Sequence, residues 1–274
     1  MLYRFLLALL LVVLSAPGAA EELRNSDYTW KTIGKGLSFT RLEVLDRREI
    51  VESLAVVRID PDFNSFRVYH GAPRRISDWW QVTNAPVIFN GSYFTRAWQP
   101  CGLVIIDDKT YGPLHNAAMR GMFVAEPRGV SPDLPRATIL DLTARPINVK
   151  NLPWTQGLMS FPLLLDSRGR IRVKQTELMA QRTIICTDRQ GNILVIHSAG
   201  DFFSLYELAG FLKNSSLDID LALNLDGGSK AQLLINTPDF SFASPSYLEQ
   251  SARAFFDAEA LLLPTIIGVF PRQE

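Results

Sequence analysis

Residues 221–235 read LALNLDGGSKAQLLI, two apolar runs interrupted by Asn224, Asp226, Gly227, Gly228, Ser229 and Lys230. A hairpin would need only the glycine pair, and Asp-Gly is itself a type I′ turn signal in which Asp226 can shape its own turn. In strand register, Leu221, Leu223 and Leu225 alternate with Ala222, Asn224 and Asp226, so two polar groups project to one face. The run is otherwise apolar enough to be buried. Buried polar groups need partners, and two in succession on one face favour a polar cavity over a plain turn. Gly227 and Gly228 permit positive φ or close approach to a ligand.

Working outward, short apolar strands predominate. Residues 53–60 (SLAVVRID) and 66–70 (FRVYH) flank the turn PDFN, and 87–89 (VIF) enters NGSYF. Residues 103–106, 122–125 and 137–140 are further strand candidates, and 163–173 has apolar arms around a polar Gly turn, a plausible hairpin. Residues 183–187 and 193–197 flank DRQGN in the same way. One segment differs: in 204–212, Leu205, Leu208, Ala209 and Leu212 fall at i, i+3, i+4 and i+7, and Ser204 with Glu207 forms a capping box. Trp79 and Trp80 fit a shorter helix starting after Ser77. This pattern predicts an α+β fold, a single domain over 25–274 with a mixed, largely antiparallel sheet flanked by helices. The Pro- and Gly-rich stretch 127–135 is short enough to be a surface loop.

The chain has 274 residues, enough for a sizeable core, and a formal net charge of zero, which gives no electrostatic footprint for nucleic acid. The first twenty residues stand apart: Arg4, an apolar run over 5–14, then Gly18 and Ala20 at the −3 and −1 positions of a signal-peptidase site. The apolar run is shorter than a bilayer span and is followed by Pro17 and Gly18, so residues 1–20 read as a signal peptide. The expected location is periplasmic or secreted, with no stable membrane span after cleavage. Losing Arg4 leaves a net charge of −1. An exported chain can oxidise Cys101 and Cys186, and sequence leaves a disulfide between them open.

Two more places interrupt apolar strands with polar chemistry. Asn90 ends a strand in NGSYF, where Asn-Gly is equally a turn signal and an amide placed for a ligand. Arg182 opens the strand RTIICTD and shares a face with Ile184 and Cys186, while Thr183 and Ile185 share the other. Its planar fork suits carboxylate or phosphate, although a lone Arg is more often a surface ion pair. His197 ends NILVIH, where a lone His is more often structural than a proton-transfer group. The chain has no HExxH, Walker loop, GxSxG or GxGxxG.

Taken in order, NGSYF, RTIICTDRQGNILVI, the amphipathic SLYELAGFL and LALNLDGGSK resemble the phosphodiester glycosidase family, from about Val87 to the C-terminal LPTIIGVFPR. Each piece alone is weak and the ordered combination is specific. Three positions depart from the family pattern: Ser92 stands where Gly is common, Lys230 where a small residue is common, and Phe161 in SFPLLL where a small residue often precedes the Pro. The closest likeness is to bacterial exported members.

The resemblance implies hydrolysis of a sugar-1-phosphodiester at the anomeric carbon, within an envelope or extracellular glycan. A phosphomonoester leaves readily as an anion, so a cation for the phosphate matters more than the strong acid of ordinary glycosidases. It makes Arg182 the phosphate-holding cation and Asp226 the nucleophile or base. Asn90, Asn224 and Ser229 are expected to bind sugar hydroxyls or phosphate oxygens, with Thr183 a weaker candidate and Tyr93 an apolar wall. The N–H groups of Gly227 and Gly228 are expected to face the phosphate as a small anion nest. No cofactor is indicated, and a divalent cation at Asp226 stays open. The competing readings are a non-catalytic protein that binds an anionic glycan, and a phosphodiesterase that cleaves P–O.

Overall fold

Thr183–Asp188 (β13) and Ile193–Ser198 (β14) are buried at every position. A strand that is apolar on both faces must be covered on both faces, and the computed structural model shows how. It describes residues 23–129, 134–144, 148 and 151–273; the expected signal peptide lies outside them. β13 and β14 pair as the predicted hairpin and form the middle of an eight-stranded sheet. On one side of them lie β4 (Glu49–Ile59), β3 (Leu37–Asp46), and the short β1 (Arg24–Asn25) and β2 (Lys31–Gly34), both paired to β3. On the other lie β15 (Ile219–Asn224) and β12 (Leu163–Leu165).

A second sheet runs β17 (Phe240–Ser244), β16 (Leu233–Thr237), β6 (Val87–Asn90), β18 (Leu263–Pro271) and β5 (Asn64–Arg74). A third runs β10 (Ala137–Asp141), β9 (Gly121–Pro127), β11 (Trp154–Ser160), β7 (Val104–Ile106) and β8 (Lys109–Tyr111). Side chains of all three sheets meet in one core, with Val57, Ile185 and Leu223 from the first, Phe66, Phe89 and Ile267 from the second, and Phe123, Ala125 and Leu158 from the third. The outer face of the first sheet is closed by α2 (Leu205–Asn214), whose Leu208, Ala209 and Leu212 pack on Ile184, Cys186 and Ala222. The capping box of Ser204 and Glu207 starts α2 as the sequence predicts.

Antiparallel sheets therefore dominate, with three sheets in place of the one expected, and every strand pair among the described residues is antiparallel. Helices are few: α1 (Ile76–Thr83), α2, and α3 (Tyr247–Phe256). The expected hairpin over 163–173 reduces to a single bridge, Leu165 to Ile171, because Asp166 gathers the intervening turn. The decisive correction concerns the opening stretch. β15 and β16 do not pair with each other: β15 belongs to the first sheet and β16 to the second. The segment between them is a crossing from sheet to sheet.

Candidate active site

The crossing is stitched at its base by Asn90. Its buried amide donates to Asp226 O at 2.8 Å and accepts from Gln232 N at 3.0 Å, one bond on each side of the glycines. Asp226 N donates to Gly91 O at 3.2 Å. Asn90 is thus turned inward, away from the ligand role the sequence suggested for it, because the backbone between two sheets has no ladder of its own and needs these partners.

Asn224 pairs with Ile184 in the β13–β15 register, so it shares the face of Arg182, as strand alternation predicts. Its Nδ2 donates to the Tyr93 hydroxyl at 2.7 Å, Leu225 O at 2.6 Å and Phe161 O at 3.2 Å. The Tyr93 oxygen accepts there, which leaves its own proton to donate elsewhere. Tyr93 also packs on Phe161 with ring centroids 4.5 Å apart. Its phenol is pushed up to about 12 by burial and by the charge of Asp226, against the opposing pull of Arg182. The phenol lies within the fields of both charged residues.

Arg182 is 5% exposed. Its Nη2 donates to Leu178 O at 2.8 Å, its Nε is buried without a partner, and no carboxylate among the described residues pairs with it. Burial pulls its pKa down. Of the six buried side-chain atoms lacking a hydrogen-bond partner among the described residues, three belong to Arg182, Asn224 and Gln232. Such atoms are rare in folded proteins and concentrate where something external completes them. Asp226 is the carboxylate nearby: burial raises its pKa to about 6, with the Gly227 N–H (2.9 Å to Oδ1) and Lys230 opposing.

The glycines serve the backbone. A Cβ on Gly227 would sit 2.9 Å from Gln181 O, and Gly228 has φ +61°. Gly227 N–H is taken by Asp226 and Gly228 N–H donates to Gln181 O at 2.8 Å, so neither is free for the expected anion nest. Ser229 lies in the single 3₁₀ turn that follows, half-buried. Thr183 faces the other way, with Oγ1 3.3 Å from His197 Nδ1 inside the core. His197 reaches across to Ser244 at 2.7 Å, and burial lowers its pKa to about 4; it is a neutral structural group.

Cys101 and Cys186 are both free, and Cys186 is buried beneath α2. Ser92 points to Ser160 (3.0 Å), which donates to Asn224 O at 2.7 Å, so the hydroxyl braces the strand. Lys230 is half-buried and tethered: Nζ donates to Glu259 O (2.6 Å) and Leu262 O (3.2 Å) and lies over the stacked rings of Phe94 and Trp98. The sequence reading gave neither ring a role, although Phe94 closes NGSYF and Trp98 follows it in TRAWQP. Among the described residues no group of three or more His, Cys, Asp and Glu side chains is gathered to hold a metal ion.

The phosphodiester glycosidase family model matches residues 83–270, well over half of the chain. The chain belongs to the phosphodiester glycosidase family. No curated protein sequence matches it. Among solved structures, the chain resembles the catalytic domain of zebrafish N-acetylglucosamine-1-phosphodiester alpha-N-acetylglucosaminidase, auto-inhibited by its pro-peptide. The identity is 16% and the TM-score 0.59, over 92% of this chain and 89% of that one. A hypothetical protein from Synechocystis matches with 17% identity and TM-score 0.57 over 90% of this chain, which spans 64% of that protein's length. A Burkholderia pseudomallei protein described as a candidate exported protein matches with 10% identity and TM-score 0.53, over 92% and 97%. At these identities the likeness establishes the fold. No helix among the described residues is long and apolar enough to cross a membrane.

Proposed function

We propose that this phosphodiester glycosidase hydrolyses the bond between the anomeric carbon and the phosphate of a sugar-1-phosphodiester. The observation that carries the reading is Arg182, a buried guanidinium with no carboxylate partner among the described residues. A buried, uncompensated cation is costly, and a phosphate is the ligand whose geometry and charge best complete it. Asp226 stands by as a carboxylate without an ion pair among the described residues, ionised at neutral pH with a pKa near 6. In the proposed reaction a water oxygen attacks the anomeric carbon and gives a proton to Asp226. The bond from that carbon to the phosphate oxygen breaks, and its electron pair leaves on the phosphomonoester held by Arg182. The Tyr93 hydroxyl, oriented by Asn224, donates to the phosphate or to a sugar oxygen. Ser229, in the turn that follows Asp226, is assigned to the same ligand.

The N-terminal residues 1–20 fit a signal peptide, so we place the activity in the periplasm or outside the cell, on an envelope or extracellular glycan. A test is hydrolysis of a sugar-1-phosphodiester in ¹⁸O-labelled water by the mature protein, with and without chelator. Label is expected in the sugar. Label in the phosphate would make the protein a P–O phosphodiesterase, and saturable binding without product would make it a glycan-binding protein. Near-normal turnover by Asp226→Asn or Arg182→Ala would remove that residue from the mechanism.

A further inference from the structure

Beyond Phe161 the molecule has a second concavity. Phe161 packs one face on Tyr93 and gives its carbonyl to Asn224, and it also lines a cleft of about 410 Å³. That volume lies within the range of sites that hold small ligands, about 300–1,000 Å³. The floor is apolar, made by Pro162, Leu163, Val173 and Leu205. Three cations stand around it: Arg120, Arg172 and Lys174. They are not alike. Arg172 is neutralised, with Nη1 at 3.0 Å from Asp166 and 3.2 Å from Asp141 and Nη2 at 2.9 Å from Thr143. It is a strut that fixes the wall. Arg120 and Lys174 are exposed and have no acidic partner among the described residues.

We propose that this cleft is a second anion subsite for the same substrate. It takes a negatively charged group, phosphate or carboxylate, on a glycan that continues past the scissile phosphodiester. The proposal rests on the phosphodiester glycosidase reading and narrows it to a polyanionic chain. In that reading a small diester is held by Arg182, Tyr93 and Asp226 alone. A longer chain would continue past Phe161, which packs on Tyr93 and also lines the cleft. On the far side the apolar floor suits the apolar face of a sugar ring, and two cations with no acidic partner among the described residues suit its charge.

The test uses three esters of one sugar with the same scissile bond. Their leaving alcohols are neutral, phosphate-bearing or carboxylate-bearing. The mature wild-type protein is expected to show kcat/KM about tenfold higher for a charged ester than for the neutral one, the effect of two exposed charge contacts. The preference should shrink as salt is raised. The phosphate and carboxylate arms tell which anion the cleft takes. Arg120→Ala/Lys174→Ala should lose the preference and keep wild-type turnover of the neutral ester, and Arg120→Glu/Lys174→Glu should reverse it. Equal kcat/KM for charged and neutral esters in wild type, or a preference that survives in the double variant, overturns the cleft and leaves the glycosidase reading standing. If no ester is hydrolysed, the glycosidase reading fails and the cleft is judged by calorimetric binding of the intact esters. An affinity gap that vanishes in Arg120→Ala/Lys174→Ala then sustains it, and equal affinities overturn it.

Discussion

Arg182 and Asp226 would stand opposite one another if the β13–β15 register were carried two residues past the pair of Ile184 and Asn224, yet no ion pair joins them. Each instead acts on the Tyr93 phenol, Asp226 raising its pKa and Arg182 lowering it. The site keeps its opposite charges apart. That separation leaves the cation to an incoming anion and the carboxylate to the reacting carbon, and burying each charge without an ionic partner carries a cost.

The cost gives a prediction for Arg182. Arg182→Met removes a buried charge that no carboxylate among the described residues compensates, so its melting temperature in phosphate-free buffer should equal or exceed that of wild type. Inorganic phosphate or a sugar-1-phosphate at a hundred times its dissociation constant should stabilise wild type by about 2.7 kcal/mol. The variant should gain nothing from either, and its kcat/KM should fall about a hundredfold or more. Thermal shifts with and without phosphate check this; equal stabilisation of both proteins would place the anion elsewhere.

For Asp226 the sign follows from a pKa raised from 3.8 to about 6. The folded protein binds this proton more tightly than the unfolded chain, so the group's contribution to stability is fully present below pH 4 and is lost as pH rises through 6. Asp226→Asn is therefore expected to be more stable than wild type at pH 7–8, by on the order of 2 kcal/mol, with the difference vanishing below pH 4. Its activity should be lost, and wild-type kcat/KM should fall on the acid side with an apparent pKa near 6. Urea melts across pH together with the rate profile test both halves.

Asn90 should behave in the opposite way. Its side chain joins Asp226 O, Gly91 O and Gln232 N across the junction of two sheets. Asn90→Ala strands these buried backbone groups, and a loss of about 2–4 kcal/mol is expected. Denaturant unfolding measures it. A variant of wild-type stability would mean that the crossing is held by something else.

How much of this was legible in the sequence depends on the range of the interaction. Alternation along 221–224 is local, so the side on which Asn224 stands could be read from it, as could the 183–197 hairpin and the cap at Ser204. The crossing could not, because Asp-Gly-Gly serves a hairpin or a sheet exchange equally, and strand partners are chosen by distant residues. The hydrogen-bond destinations of Asn90 and Thr183 were hidden for the same reason. Some signals were present and passed over: LSFTRLEVLD alternates in β3, and Ser246 with Glu249 caps α3.

Lys230, a departure from the family pattern, yields the last prediction. Its ammonium is tied to the carbonyls of Glu259 and Leu262 and covered by Phe94 and Trp98, so its contribution is a fixed charge and a fixed loop. That charge lowers the pKa of Asp226. Lys230→Met keeps the stem packed between the aromatics and removes the cation, so the Asp226 pKa should rise and the acid limb of the rate profile should move to higher pH. At a pH well above that limb kcat should stay near wild type. A substrate-binding cation would give a different signature: KM would rise at every pH with the limb unmoved. Rate profiles of the two proteins on one neutral-alcohol ester separate the roles, and an unmoved limb would show that Asp226 does not feel Lys230.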